Sequence, residues 1–242
     1  LLMDMINKTS FAVSKDDTRP VLNGVLWRID SEGMEMVATD GSRLACYRRN
    51  LDLGVRSDQE AGVIVPPQAL TQMSKLLSGH DGAIEITLGE TQFLLSTGTT
   101  HLLSRLIEGP YVDYAQVIPK DNNKNLRVDI DRLLPTVRRV SILSSSYTRQ
   151  IRLKLDDSSV ELSATSPEIG GEAREQIPAS FDGEEMEIGY NAQFLMEILR
   201  TMGSQTVRFE LNNNVTAALL KPDQTEEGED YFYLLMPLRP TG

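Results

Sequence analysis

An internal repeat limits this chain more than any other feature. Met34-Glu-Met-Val-Ala-Thr39 returns as Val160-Glu-Leu-Ser-Ala-Thr165, an offset of 126 residues that keeps apolar, acidic and Ala-Thr positions in phase. Gln68-Ala-Leu70 with Met73 and Leu77 is matched by Gln193-Phe-Leu195 with Ile198 and Met202, an offset of 125 residues. Two matches in the same order at nearly the same spacing mean that one module is used twice. The polar, turn-forming run Pro119-Lys-Asp-Asn-Asn-Lys-Asn125 separates the copies, giving expected domains 1–118 and 119–242.

Within each copy, alternating segments such as 21–29 and 207–211 read as half-buried strands, about six per module. The stretches 1–11, 67–78, 129–142 and 191–202 instead carry helical spacing, two per module. Pro67 at a helix start, with Gly79 and Gly203 just past helix ends, is the punctuation that helices require. Pro135 then falls in the first two turns of the third helix, where a missing N–H costs least. Turns follow at Asp30–Gly33 and Leu211–Asn214. The fold class is α+β, each module an antiparallel sheet system with two helices on one face.

With 40% hydrophobic residues in 242, each copy can bury a core. No apolar run approaches the ~18 residues that cross a bilayer, so the chain reads as soluble, without a membrane partner. It starts at Leu1, with no basic and then apolar leader, and is read as truncated upstream. The single cysteine, Cys46, excludes an internal disulfide and fits a reducing cytoplasm. A formal charge of −11 argues against a surface that is all nucleic-acid footprint.

The charge is unevenly distributed. The four helical stretches hold Lys8, Lys75, Arg132, Arg138, Arg139 and Arg200 against Asp4, Asp129, Asp131 and Glu197, a net of +2 that leaves −13 for the remainder. Solvated helix faces often carry such cations for solubility, and on charge alone that reading leads over contact with phosphates.

Catalytic ingredients are sparse. There is no HExxH, CxxC, Walker-type loop or GxGxxG after a strand. His80 sits in a Gly-rich turn, His101 heads a strand-like run without a triad neighbour, and Cys46 lies in strand alternation as a small buried residue. Glu184-Glu185 and Glu226–Asp230 read as solvated loops, and no metal or other cofactor is expected. A β-rich peptide-binding module with no DNA role is the alternative to a DNA-associated one.

Five stretches carry a resemblance. Arg19–Gly24, Val37–Ala45, Asp113-Tyr114 ahead of Val117–Pro119, Met186–Asn191 and Tyr233–Arg239 are similar to the bacterial DNA polymerase III sliding-clamp family, in family order and across the whole chain. The family has three modules, so the resemblance implies that the second and third are present and the first is absent. It implies a non-enzymatic processivity factor: a head-to-tail dimeric ring with helices lining a hole for duplex DNA, bound nonspecifically. The six cations above would face that DNA.

Partners would be the polymerase III catalytic and clamp-loader subunits, other polymerases and repair proteins. The resemblance implies that they dock short Leu- and Phe-containing motifs in an apolar cleft to which both modules contribute. Matching positions are Leu22, Thr39, Gly41, Ser42, Arg43, Leu44, Val112 and Val117, with Asn191, Phe194, Val215, Met236, Pro237, Leu238 and Arg239. Read without the resemblance, Leu22, Leu44, Val117 and Val215 are ordinary core residues, and Thr39–Ser42 is a tight turn with Gly41 supplying the unusual backbone. Ile142 and Leu143 match the subunit seam; lacking the first module, this chain is expected to be monomeric or weakly self-associated. Val112 stands where many members have Pro, Gln116 where an Arg occurs and Ser42 where His occurs, and Pro240–Gly242 extends past the usual end.

Overall fold

The computed structural model describes residues 1–55, 61–166 and 170–239. The Pro240–Gly242 extension therefore lies outside the described residues. The chain forms two compact units: Leu1–Asp113 with Glu226–Tyr231, and Tyr114–Thr225 with Phe232–Gly242.

The first unit opens with α1 (Leu2–Thr9), whose buried Leu2, Met5, Ile6 and Thr9 recur at the spacing of one helix face. The strands β1 (Val25–Asp30), β2 (Gly33–Thr39), β3 (Arg43–Asn50) and β4 (Ala61–Val65) follow, then α2 (Pro67–Leu77). A meander of β5 (Glu85–Leu88), β6 (Gln92–Thr97) and β7 (Thr100–Arg105) completes the unit. Hydrogen bonding runs β4-β1-β2-β3 in one sheet and β5-β6-β7 in another, all antiparallel. Trp27, Met36 and Met5 are fully buried in its core, and Trp27 meets Phe93 at 6.2 Å between ring centres.

The second unit begins with β8 (Lys124–Asp129), which runs without a linker into α3 (Ile130–Val140). Then come β9 (Gln150–Asp156), β10 (Ser159–Ser166), β11 (Gly171–Pro178), β12 (Ser180–Phe181), β13 (Met186–Asn191) and α4 (Ala192–Thr201). The end is β14 (Thr206–Leu211), β15 (Ala218–Pro222) and β16 (Glu229–Leu235), the last counted with the first unit up to Tyr231. Here the runs are β13-β9-β10-β11 and β12-β8-β14-β15-β16. Position for position, β13-β9-β10-β11 repeats β4-β1-β2-β3, and β14-β15-β16 repeats β5-β6-β7.

All four expected helices are present, within a residue or two, and their punctuation has physical causes. Asp129 caps α3 by accepting from the Arg132 N–H at 3.1 Å, and Asn191 caps α4 by accepting from Gln193 N and Phe194 N at 2.9 and 3.2 Å. Pro67 starts α2, and Pro135 lies inside α3 in its second turn.

The strand expected from residue 21 starts only at Val25. Pro20–Asn23 is instead one 3-10 turn, closed by Leu22 N donating to Arg19 O at 3.0 Å, because Pro20 pre-sets a turn backbone. Gly24 follows where a Cβ would lie 2.6 Å from the Ile64 side chain, so the chain passes the sheet too closely for any side chain. More strands form than about six per module: seven in the first unit and β8–β16 in the second, among the described residues. Lys124 and Asn125, assigned to the linker by their polarity, belong to β8.

Candidate functional site

The residues selected by sequence fall into separate groups in the two units. In the first, the β2–β3 turn is built around two side chains. Asp40 Oδ1 accepts from Ser42 N at 2.8 Å and Arg43 N at 3.1 Å, while Thr39 Oγ1 donates to Arg43 O at 2.6 Å and accepts from Gly41 N at 3.1 Å. Gly41 has φ of +93°, which few other residues adopt.

Arg43 is buried, its Nε on Asp40 at 3.1 Å and its Nη2 on Phe11 O at 2.8 Å, with the guanidinium 5.2 Å from the Phe11 ring centre. Leu22 and Leu44 are also buried, as the core reading of strand residues has it. Gly41 and Ser42 remain exposed. Val112, 42% exposed, is the large apolar member of this group at the surface.

In the second unit the core reading fails for Val117 and Val215, which are 56% and 61% exposed, and Met236 is 41% exposed. The loop carrying Val215 is held by Asn213 Oδ1, which accepts from Val215 N and Thr216 N at 2.9 Å each. Asn122 Nδ2 donates to Glu210 O and Ala217 O at 2.8 and 3.0 Å, tying the segment after Val117 to both ends of that loop. Leu238 N donates to Gly189 O at 2.8 Å, which sets the Met236–Arg239 run beside the β13 end leading to Asn191 and Phe194. Pro237, Leu238, Asn191 and Phe194 are half-buried and Arg239 is exposed.

Apolar side chains left at a surface cost hydration free energy unless a partner covers them. Among the described residues nine large apolar side chains are classed as exposed, and Val112, Val117, Val215 and Met236 are four of them. Ile142, of the seam pair, is a fifth at 74%, whereas Leu143 folds back to lie 3.3 Å from where a Cβ on Gly171 would sit.

The six helix cations divide. Lys75, Arg132, Arg138 and Arg200 are exposed and make no ion pair to a described residue. Lys75 borders a groove of about 530 Å³ between α1 and α2, with Asn7, Ser10, Thr71 and Ser74. Arg139 is bound by Glu175, Nε to Oε2 at 3.0 Å, and this bond holds the Glu175 carboxyl below its usual range.

Lys8 differs most: its Nζ sits 2.9 Å from both Asp4 and Glu229, 4.2 Å from the Tyr231 ring centre and 5.1 Å from that of Tyr47. Burial alone would lower its pKa, but the bonds it donates to Glu229 and Asp4 outweigh it and hold the pKa raised. Its charge is therefore spent inside the unit rather than offered to phosphate.

That network was not legible in the sequence. Glu226–Asp230, read as a solvated loop, places the Glu229 side chain at 7% exposure, accepting from Tyr47 Oη at 2.7 Å. Tyr47 and Tyr231 stack at 5.5 Å. Partners separated by 182 and 221 positions leave no local signal.

Cys46 is buried, which pushes its thiol well above the usual range, and His101 Nδ1 bonds Ser96 Oγ at 3.0 Å. Among the described residues no group of three His, Cys, Asp or Glu could hold a metal ion, and no helix is long and apolar enough to cross a membrane.

Two copies of a module with paired helices on antiparallel sheets, exposed helix cations of which four make no ion pair to a described residue, and surface-held apolar side chains define a DNA-clamp type of protein. Residues 1–113 match the family model for the DNA polymerase III beta subunit, central domain, and residues 115–239 match that for its C-terminal domain. The chain belongs to this family.

It is 34% identical to the beta sliding clamp of Pseudomonas aeruginosa over 98% of its length, and 30% identical to that of Bacillus subtilis over 99%. The chain spans about 63% of the length of the first of these relatives and 62% of the second. The crystal structure of the P. aeruginosa DNA polymerase III subunit beta superposes with a TM-score of 0.92, covering 99% of this chain and 64% of that one at 33% identity. The B. subtilis clamp does so at 0.90, covering 99% and 62% at 30% identity.

Proposed function

We propose that this chain serves as part of a cytoplasmic, non-enzymatic DNA sliding clamp, a processivity factor that in its longer form encircles duplex DNA and tethers partner proteins. The observation that carries the reading is the surface exposure of Val117, Val215 and Met236 at family-matching positions of the second unit. A linear motif burying one Leu and one Phe against such side chains gains roughly 1.5 to 3 kcal/mol for each. After ordering costs this leaves roughly micromolar affinity, weak enough for polymerases and repair proteins to exchange. Met236 suits varied partners because its thioether repacks easily.

The exposed Lys75, Arg132, Arg138 and Arg200, which make no ion pair to a described residue, support the DNA part of the reading, since such contacts are sequence-blind and salt-dependent. Lys8 takes no part, and Arg139 offers only what Glu175 leaves free. In the longer homodimer Ile142 belongs to the subunit seam; the present chain alone is monomeric. Clamps from P. aeruginosa and Bartonella birtlesii have been crystallised bound to griselimycin, and the same compound is proposed to bind here.

The test is fluorescence titration with a labelled Gln-x-x-Leu-x-Phe peptide. Micromolar binding that is lost with Met236→Glu and with an anchor-free peptide supports the docking surface. No binding at about a millimolar to the folded chain removes it.

A further inference from the structure

Of the nine large apolar side chains exposed among the described residues, Tyr147 is the aromatic one and the most exposed, at 93%. A single apolar side chain in water is ordinary and needs no partner. What sets Tyr147 apart is how firmly its loop, residues 144–149, is mounted and on what.

The loop is tied to itself by Arg149 N donating to Ser145 O at 2.8 Å and Tyr147 N to Ser145 Oγ at 3.3 Å. Ser144 Oγ ties its start to Ser141 O at 2.7 Å. Arg149 closes it with φ of +50°, the one positive φ outside glycine among the described residues. That backbone costs free energy and persists only where its surroundings hold it.

Those surroundings are the docking positions of the second unit. Asn191, whose Oδ1 caps α4, turns its Nδ2 to Thr148 O at 3.3 Å, and Ala192 N donates to Arg149 O at 2.9 Å. One residue further on, Gln150 pairs with Asn191 across β9 and β13. A Cβ on Gly189 would meet both the Gln150 amide and Leu238 O, at 2.5 and 3.2 Å. The Tyr147 loop, Asn191 and the Met236–Arg239 run are therefore successive neighbours on one face of this unit.

We propose that Tyr147 is the aromatic wall of the second unit's docking surface, and that its occupant is the aromatic side chain of the docked motif, stacked on the phenol ring. This rests on the docking reading given above and adds a residue that the family-matching positions omit. Two arguments select the occupant. Val117, Val215, Met236 and Leu238 offer aliphatic contact, which suits a Leu but gives an aromatic ring no face to stack on. A tyrosine on a fixed loop has few torsions to order and gains most from a second ring, offset or edge-on.

The experiment is calorimetric titration of the chain, Tyr147→Ala and Tyr147→Phe with the Gln-x-x-Leu-x-Phe peptide and with a copy in which Leu replaces the Phe. Because Tyr147 is so exposed, both variants are expected to fold as the unchanged chain does, which circular dichroism checks. Tyr147→Ala is expected to weaken the Phe peptide about three- to tenfold and to change the Leu copy less than about twofold, while Tyr147→Phe binds both as the unchanged chain does. Equal affinity of Tyr147→Ala and the unchanged chain for the Phe peptide overturns the aromatic wall and leaves the docking surface standing. Equal weakening of both peptides also overturns it, since Tyr147 would then act through the loop rather than on the ring. No binding of either peptide by the unchanged chain removes the docking surface itself, and the wall with it.

Discussion

The strands β14 and β5 occupy the same place in the two copies of the module, yet among the described residues one has neighbours on both sides and the other on one side only. Val207, Phe209 and Leu211 alternate inward on β14 and are at most 1% exposed, because β8 closes the sheet beside them. Ile86 and Leu88 alternate in the same way along β5, with Ile84 just ahead of it, and all three stay half-buried. The difference teaches that an alternating apolar pattern specifies which face a strand turns inward, while the neighbouring strand decides how much of that face leaves water.

The largest effect that can test this contrast is truncation at matched places. Phe209→Ala is expected to cost about 3 to 5 kcal/mol, and Ile86→Ala less than about 1.5, because only the first leaves a cavity that its surroundings cannot fill. Urea unfolding of both variants measures the difference; equal costs would erase the distinction between interior and edge.

A second contrast sets the helix cations of the first unit against each other. Lys8→Ala removes the partner of a nearly buried Glu229 and is expected to destabilise by about 2 kcal/mol. Lys75→Ala, at an exposed helix position, is expected to stay within about 0.5 kcal/mol in the same assay.

The smallest effect is on pH. Burial alone would raise the pKa of Glu229, but the bonds from Lys8 and Tyr47 outweigh it and hold the carboxyl low. A depressed folded pKa contributes stability above the unfolded value of about 4.3, which is lost as pH falls through the folded value. Lys8, raised in the folded state, contributes below about 10.4 and loses it as pH rises further. Proton NMR of the stacked Tyr47 and Tyr231 rings is expected to show the Glu226–Tyr231 segment held between these limits and loosened beyond them. The exposed Arg139–Glu175 pair of the second unit is expected to respond much less.

The sequence by itself determined the repeat, the four helices and the α+β class, because those depend on spacing within a few residues and on capping chemistry that acts locally. It also selected the apolar residues Val112, Val117, Val215 and Met236 through resemblance, against the core reading in the case of Val117 and Val215. Tertiary structure alone decided that Leu22 and Leu44 are buried while Val117 and Val215 are not, since all four look alike as strand-length apolar positions.

It alone placed Glu229 beside Lys8, converting an expected DNA-facing cation and an apparent surface acid into one internal network. The physical reason is common to both cases. Burial and pairing are set by what arrives from far along the chain, and a residue's own neighbours in sequence hold no record of it.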